Sequence, residues 1–169
     1  FKGAHYMQTF LHVGCGQKRK DQTTSGFAKE NWKELRFDIN ESNEPDYVGT
    51  MTDMSAIETS SMDALYSSHN IEHVYAHEVP KALAEFKRVL RPNGFVIITC
   101  PDIQAICALV AEGKLTAQAY SSEAGPITPH DVLYGHGASL AAGNLFMAHR
   151  CGFTQKVLAK TLEASGFVS

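Results

Sequence analysis

The chain has 169 residues, of which 44% are hydrophobic and 20% charged, a composition typical of one globular domain with a sizeable core. Its net charge of −3 disfavours the basic surface that nucleic acid requires, and no apolar run approaches the roughly 18 residues of a transmembrane helix. The four cysteines have no CxxC spacing, so we expect reduced thiols in a cytoplasmic protein.

The first half of the chain predicts four short strands. Apolar residues place the first strand at about 9–13, and only a short helix at 26–32 fits before the second strand at 34–38. A third, very short strand is predicted at 47–49 and a fourth at 63–67. Because strands alternate with helical segments along the chain, we expect a parallel sheet with right-handed crossovers.

The clearest helix follows the fourth strand. Pro80 suits its first turn, and four apolar residues recur at i, i+4, i+7 and i+11: Val79, Leu83, Phe86 and Leu90. The sequence Arg-Pro-Asn-Gly at 91–94 predicts the end of this helix and a turn. Residues 95–99 (FVIIT) then predict a fifth strand, apolar enough to be covered on both faces.

The last third of the chain has a less regular pattern. A helix is predicted at 102–113, and Thr154 is expected to cap a final helix that Gly166 ends. Between them, residues 115–143 are rich in Gly, Ser, Ala and His without a clear period, so we expect a lid-like insertion at about 115–145 in a single domain. The chain ends where another strand would start, and we expect C-terminal strands to be missing from this fragment.

The most informative motif is the glycine turn after the first strand. The apolar run FLHV stops at Gly14-Cys15-Gly16, and Asp38 closes the second strand 22 residues after Gly16. Glycines let the backbone approach a ligand, and a carboxylate at that position accepts hydrogen bonds from two ribose hydroxyls, so the pattern predicts a nucleoside site. A nicotinamide dehydrogenase is disfavoured because its motif needs glycine where Arg19 stands, and a well-formed helix facing the pyrophosphate.

Five motifs appear in order over residues 11–102: VGCG, RFDIN, GTMTDMSAI, DALYSSHNIEHV and EFKRVLRPNGFVIITCPD. Together they resemble class I S-adenosylmethionine-dependent methyltransferases, most closely the branch with the small-molecule methylases of quinone biosynthesis. The later segment YGHGASLAAGNLFMAHRCGFT is similar to an uncharacterised subgroup of predicted methyltransferases. The resemblance implies a Rossmann-like, doubly wound, mostly parallel sheet with helices on both faces, a three-layer sandwich.

The resemblance also implies S-adenosyl-L-methionine as the cofactor and a small-molecule acceptor, with no nucleic acid or membrane partner. A homodimer stays open. One alternative is a non-catalytic cofactor-binding module or a partner subunit of an active enzyme. A nucleic-acid or protein methylase is a further alternative, disfavoured for nucleic acid by the acidic balance and by Ser67-Ser68-His69-Asn70, which stands where base-amine methylases carry Asn-Pro-Pro-aromatic.

Carried over residue by residue, the resemblance implies a set of cofactor contacts. Gly14 and Gly16 would pass under the methionine part, and Asp38 would bind the ribose. Asp53 would bind the adenine amino group, with the Met54 N–H and side chain against the ring. The full set is Gly14, Cys15, Gly16, Asp38, Ile39, Thr52, Asp53, Met54, Ser68 and His69.

The sequence departs from the family pattern at Lys18, where a third glycine is common, and in its short, polar first helical segment. Asp53 also precedes Met-Ser as a helix N-cap would, so a capping role stays open beside the cofactor role.

Histidines are the candidates for a general base. His69, at the end of the fourth strand and beside the expected sulfonium and acceptor, is the first candidate; His136 and His149 are the next, either in a lid over the acceptor or as surface-loop residues. His69, His73 and His77 have the i, i+4, i+8 spacing of a metal-binding face. Because Pro80 places a helix start near His77, these three need not share one helix, and we expect no metal site.

Overall fold

The computed structural model of the chain describes residues 6–168. The strands are β1 (Gln8–Val13), β2 (Trp32–Asp38), β3 (Tyr47–Val48), β4 (Met62–Ser68), β5 (Leu90–Thr99), β6 (Tyr120–Ser122) and β7 (Gly125–Ile127). The helices are α1 (Val79–Val89), α2 (Ile103–Ala111), α3 (Pro129–Tyr134), α4 (Gly137–Ala141) and α5 (Gln155–Ala164). Over 6–168, no helix has both the length and the apolar character needed to cross a membrane.

The described chain divides into two compact units. The first contains the chain up to Asn70 together with Lys81–Thr99, and the second contains Ile71–Pro80 together with the chain from Cys100 onward. That the chain is a single domain with a lid-like insertion at about 115–145 stays a prediction.

The first unit is built on a five-stranded sheet in the order β3-β2-β1-β4-β5, with every neighbouring pair parallel. Val13 at the end of β1 pairs with Phe37 of β2 on one side and with Ser67 of β4 on the other. The carboxyl ends of these three strands therefore meet at one edge, and the strand order reverses between β1 and β4. Such a switch point is where open α/β sheets bind ligands. The predicted α/β fold with a parallel sheet is confirmed.

The core of this unit follows the predicted apolar pattern. Phe10 and Leu11 of β1 and Leu83 and Phe86 of α1 are fully buried. Burying each such side chain contributes about 1.5–3 kcal/mol. The helix begins at Val79, so Pro80 lies in its first turn as predicted.

The helix predicted at 26–32 does not form, and turns occupy this segment. Phe27 is its buried anchor: its ring stacks on Phe10 with centroids 4.2 Å apart and meets Trp32 edge-on at 5.0 Å. The Lys20 ammonium donates a hydrogen bond of 2.9 Å to the Trp32 carbonyl. A single aromatic anchor and side-chain hydrogen bonds thus hold this segment, which has no apolar stripe long enough to stabilise a helix.

The fifth strand begins earlier than predicted, at Leu90, directly after α1. Its pairing with β4 shifts register between Met62 and Ala64, which accommodates the Arg-Pro-Asn-Gly sequence at 91–94. The expected cover on both faces is wrong, since Phe95 is 46% exposed. Within the described sheet β5 is an edge strand, paired with β4 alone.

In the second unit side chains cap α2 and α5, and of these two caps the one from Thr154 was predicted. The Asp102 carboxylate accepts the Gln104 N–H at 3.0 Å before α2, and the Thr154 hydroxyl accepts the Val157 N–H at 3.3 Å before α5. The segment expected to be irregular contains the β6–β7 hairpin and the short helices α3 and α4. Its proposed role as a lid stays a prediction.

Candidate functional site

The glycine turn after β1 is bonded to the end of β2. The N–H groups of Gly14 and Cys15 both donate to the Phe37 carbonyl, at 2.8 and 3.3 Å. Gly14 and Gly16 have φ of +68° and +53°, a left-handed conformation that glycine adopts without the cost of a side chain. Cys15 between them is buried, and burial raises the pKa of its thiol to about 12. Cys15 therefore carries a neutral, buried thiol. It stands between two glycines whose left-handed backbone a residue with a side chain would adopt only at a cost.

Asp38 connects this turn to the next loop. Its carboxylate accepts the Gly16 N–H at 2.7 Å through one oxygen and the Asn40 N–H at 2.8 Å through the other. The residue is 6% exposed, and its neighbour Ile39 is largely exposed. Each carboxylate oxygen has two acceptor positions, so each keeps one for a ribose hydroxyl. The ribose contact stays a prediction that this geometry allows.

Arg36 is a residue of this region that the sequence analysis missed. Its side chain is 2% exposed, and its guanidinium donates to four backbone carbonyls around the turn: Gly16, Lys18, Asn43 and Glu44. Lys18, where the family commonly has glycine, is thus fixed through its own carbonyl. The sequence did contain a signal for this role. Arg36 stands in the second half of the predicted strand β2, and a charged side chain in a buried strand usually has specific partners.

Asn70 is the second missed residue. Its side chain fills the space over Gly14, where a Cβ would lie 2.3 Å from the amide carbon, and its amide donates to the Ser67 hydroxyl at 3.1 Å. A Cβ at Gly16 would meet nothing within 4 Å. Of the two glycines, Gly16 is therefore the one whose backbone borders open space.

The end of β4 brings two further predicted residues to the same edge of the sheet. The Ser68 hydroxyl accepts a hydrogen bond of 2.7 Å from the Thr99 hydroxyl, and the His69 N–H donates to the Thr99 carbonyl at 2.9 Å. His69 has a φ of +51°, a strained conformation for a residue with a side chain. Strain of this kind concentrates at functional sites, although the role of His69 as a base stays a prediction.

The predicted adenine end has competing contacts. The Asp53 carboxylate accepts the Ser55 N–H at 3.1 Å, the capping arrangement that the sequence left open. Hydrogen bonding from Ser55 lowers the pKa of Asp53, which keeps it ionised. Met54 is fully buried, and its N–H donates to the Glu85 carboxylate at 2.6 Å. To bind the Met54 N–H, an adenine ring would have to displace the Glu85 carboxylate. The Asp53 carboxylate, in contrast, is exposed and can be reached by an adenine amino group.

An open depression of about 410 Å³ lies beside Asp53, within the range of known ligand sites. Its lining includes side chains from α1 and from the loop after β3: Thr52, Asp53, Ser55, Lys81, Ala84, Glu85 and Arg88. Thr52 and Asp53, both predicted to bind the cofactor, therefore border one shared space.

The other two candidate bases, His136 and His149, belong to the second unit. His136 precedes α4, and its Nδ1 lies 2.8 Å from the Ser139 hydroxyl. His149 donates from Nδ1 to the Val132 carbonyl at 2.6 Å, and burial lowers its pKa, which favours the neutral ring. Their roles as bases stay predictions.

His149 also belongs to a group that the sequence did not predict. Its ring lies 4.9 Å from that of His73, and the potential ligand atoms of Glu72, His73 and His149 all lie within 4.8 Å of one another. The spacing of His69, His73 and His77 pointed to other partners for His73. Because residues 72–73 and 149 are far apart in the chain, sequence spacing could not indicate this group.

Residues 11–98, more than half of the chain, match the family described as the methyltransferase domain. No curated protein matches the chain significantly in sequence.

Solved structures of other proteins share the fold, among them three methyltransferases. A methyltransferase from Thermotoga maritima has a TM-score of 0.59 at 14% identity, over 95% of this chain and 64% of its own. One from Archaeoglobus fulgidus has a TM-score of 0.57 at 15% identity, over 98% of this chain and 64% of its own. One from Mesorhizobium loti has a TM-score of 0.59 at 18% identity, over 98% of this chain and 82% of its own. All three are described as S-adenosylmethionine-dependent. The chain thus spans less than two thirds of the length of the first two.

Proposed function

The chain belongs to the methyltransferase domain family, whose cofactor is S-adenosyl-L-methionine, and from this membership we propose that it transfers a methyl group from this cofactor to a small-molecule acceptor. The observation that carries the proposal is the hydrogen bond of 2.7 Å from Gly16 to Asp38. It joins the glycine turn after β1 to the carboxylate at the end of β2, next to the switch point between β1 and β4, where a nucleoside would bind.

The described residues fit the cofactor. Gly16 borders open space, Asp38 keeps an acceptor position on each oxygen, and the depression beside Asp53 offers room for a ring. Arg36 bonds the carbonyls of Gly16 and Lys18 and Asn70 packs against Gly14, so both hold the turn in place before a ligand binds. A site organised in advance loses less conformational entropy when a ligand binds.

Methyl transfer from this cofactor requires mainly that the protein position the acceptor. When bound, the cofactor supplies an activated methyl group that leaves its sulfur for a nucleophilic atom of the acceptor. The chain has to align that atom and exclude water, and alignment alone lowers a barrier by up to about 7–11 kcal/mol in the best intramolecular cases. For an acceptor that must lose a proton, His69 is the proposed base because it follows β4 at the ligand-binding edge.

A small-molecule acceptor is favoured over a polyanion by the net charge of −3. Nucleic acid would require a basic surface to neutralise its phosphates. The subgroup near the quinone methylases stays a prediction, as do a homodimer and the cytoplasmic location.

Calorimetric titration with S-adenosylhomocysteine tests the proposal. We expect micromolar binding that NAD does not compete with, weakened at least tenfold in Asp38→Asn, since each hydrogen bond to a charged group contributes about 1.5–3 kcal/mol. Asp63→Asn is the matched control: Asp63 also accepts a backbone N–H, from Thr9 at 2.8 Å, but at the amino end of β4.

The outcomes separate the alternatives. Absence of binding, or equal binding by the Asp38→Asn variant, would refute the nucleoside site. Binding without release of S-adenosylhomocysteine from S-adenosylmethionine across a panel of phenol, amine, thiol and carboxylate acceptors would favour the non-catalytic module. Methyl transfer to any of them would identify the acceptor class.

A further inference from the structure

We propose that Glu72, His73 and His149 bind a divalent transition-metal ion, with zinc as the best-matched ion, inside the second unit. Their ligand atoms lie within 4.8 Å of one another, and one carboxylate with two imidazoles is a ligand set that zinc uses in proteins. Glu72 is 2% exposed, while both histidines are half-buried. An ion can therefore reach the group through the imidazoles and meet a carboxylate that is largely shielded from water.

The hydrogen bonds of the two imidazoles to backbone carbonyls fix which nitrogen of each ring carries the proton. Nδ1 of His73 lies 3.1 Å from the Ala148 carbonyl, and Nδ1 of His149 lies 2.6 Å from the Val132 carbonyl. A carbonyl oxygen only accepts, so both Nδ1 atoms carry the proton. In a neutral ring the lone pair is then on Nε2, so Nε2 is the nitrogen through which each imidazole would bind the ion. Histidine ligands in metalloproteins are oriented by the same kind of bond to a carbonyl or carboxylate.

The backbone also brings the ligands together in advance. Residues 71–73 form a single turn of 3-10 helix, and the carbonyl of Glu72 accepts the N–H groups of Arg150 and Cys151, at 2.8 and 3.2 Å. Two segments far apart in the chain are thus already joined where the ion would bind. Few backbone torsions have to be ordered on binding, which favours affinity.

The distances among the three ligand atoms are compatible with a tetrahedrally coordinated ion if these atoms move slightly closer together. With metal–ligand distances of about 2.0–2.2 Å, ligand atoms of a tetrahedral site lie roughly 3.3 Å apart. Since the ligand atoms all lie within 4.8 Å of one another, binding would require side-chain adjustments of at most about 1.5 Å between any two of them. Three protein ligands leave the fourth position to water. A bound ion would use the Nε2 lone pair of His149, so the proposal removes this residue from the candidate bases.

The proposal does not depend on the methyltransferase activity, and its test measures the metal alone. Chain stripped of metal by a chelator would be titrated with Zn²⁺ in competition with a chromophoric chelator, and with Co²⁺ followed by absorbance. We expect one equivalent of Zn²⁺ to bind, and a tetrahedral Co²⁺ spectrum without thiolate charge-transfer bands.

Two variants remove a ligand with little change in shape. His149→Asn keeps a donor for the Val132 carbonyl, and Glu72→Gln keeps the side-chain volume; each should weaken Zn²⁺ binding at least tenfold. His130→Ala, an exposed histidine of α3 outside the group, should bind as the unaltered chain does. Long-range ¹H–¹⁵N spectra of the unaltered chain should show two Nε2 resonances shifted by Zn²⁺, which needs no variant to fold.

The proposal would be overturned if the unaltered chain takes up no stoichiometric Zn²⁺ or if neither variant weakens binding. Thiolate bands in the Co²⁺ spectrum would also overturn it, because they would assign the ion to a cysteine instead of the imidazoles.

Discussion

Replacing Arg36 by lysine should destabilise the first unit and weaken cofactor binding together. The guanidinium donates to four carbonyls, those of Gly16, Lys18, Asn43 and Glu44, from a position that is 2% exposed. Lysine keeps the charge but carries its three donors on one atom, whereas the fork of arginine reaches acceptors on several sides.

The magnitude follows from the number of bonds lost. We expect an ammonium group to reach two of the four carbonyls and to leave the other two without their charged donor. Each hydrogen bond to a charged group contributes about 1.5–3 kcal/mol, so Arg36→Lys should cost about 3–6 kcal/mol. This is a large part of the roughly 5–15 kcal/mol that stabilises a typical domain.

Urea unfolding followed by tryptophan fluorescence measures this cost. The chain has one tryptophan, Trp32, which packs edge-on against Phe27 in the first unit and therefore reports on that unit. Arg91→Lys is the control: the Arg91 side chain is 44% exposed and lies 3.6 Å from Asp63, so its replacement should cost less than about 1 kcal/mol. A loss below about 1 kcal/mol for Arg36→Lys would refute the bond counting above, because it would not exceed that of an exposed pair.

Three further predictions concern the turn and the caps. Gly14→Ala should cost about 1–3 kcal/mol more than Gly16→Ala in the same fluorescence assay, because both have a left-handed φ but only the first would overpack Asn70. The raised pKa of Cys15, 9.0 to about 12, predicts that stability is fully present below pH 9 and falls as pH rises toward 12, since the unfolded chain loses this proton first; pH-dependent urea unfolding measures it. Asp131, whose pKa a hydrogen bond from the Thr128 side chain lowers to about 2, should stabilise α3 above pH 4 and lose this effect as pH falls toward 2. Hydrogen exchange of α3 amides in Asp131→Asn should show a loss of about 1 kcal/mol near neutral pH, as for other caps.

Each of these has a control within the chain. Asn70→Ala should relieve the extra cost of Gly14→Ala in a double-mutant cycle, and additive losses would contradict the contact. Cys15→Ala should reduce the alkaline decline, and an unchanged decline would show that other groups cause it. Equal protection of α3 in Asp131→Asn and the unaltered chain at neutral pH would contradict the capping role.

Local patterns were enough to predict most of the first unit. The apolar runs placed β1, β2, β3 and β4 within two residues, and the apolar face with Pro80 placed α1. The glycine turn and Asp38 were predicted together, and the structure bonds them. These features depend on residues close in sequence or on strand ends that parallel pairing brings to one edge, so a sequence pattern contains them.

Where a local pattern was weak, tertiary contacts decided the structure. The helix expected at 26–32 is replaced by turns because Phe27 anchors an aromatic cluster and Lys20 bonds a backbone carbonyl. The strand predicted at 95–99 lies within β5, which begins earlier, at Leu90, and its exposure follows from its place at the edge of the described sheet. A local run of residues does not show how many neighbouring strands β5 has. Nor does it show that Phe27 is buried in an aromatic cluster.

The sequence by itself determined the family and the parallel α/β fold, and it predicted the glycine turn and Asp38 together, because glycines, carboxylates and apolar periods act locally. The tertiary structure alone showed that Arg36 bonds the carbonyls of the turn, that Asn70 packs against Gly14, and that His149 lies beside Glu72 and His73. The physical reason is separation along the chain. Residue 149 lies 76 positions after residue 73, and the Arg36 guanidinium bonds carbonyls on two separate loops, so no local run of residues contains either contact.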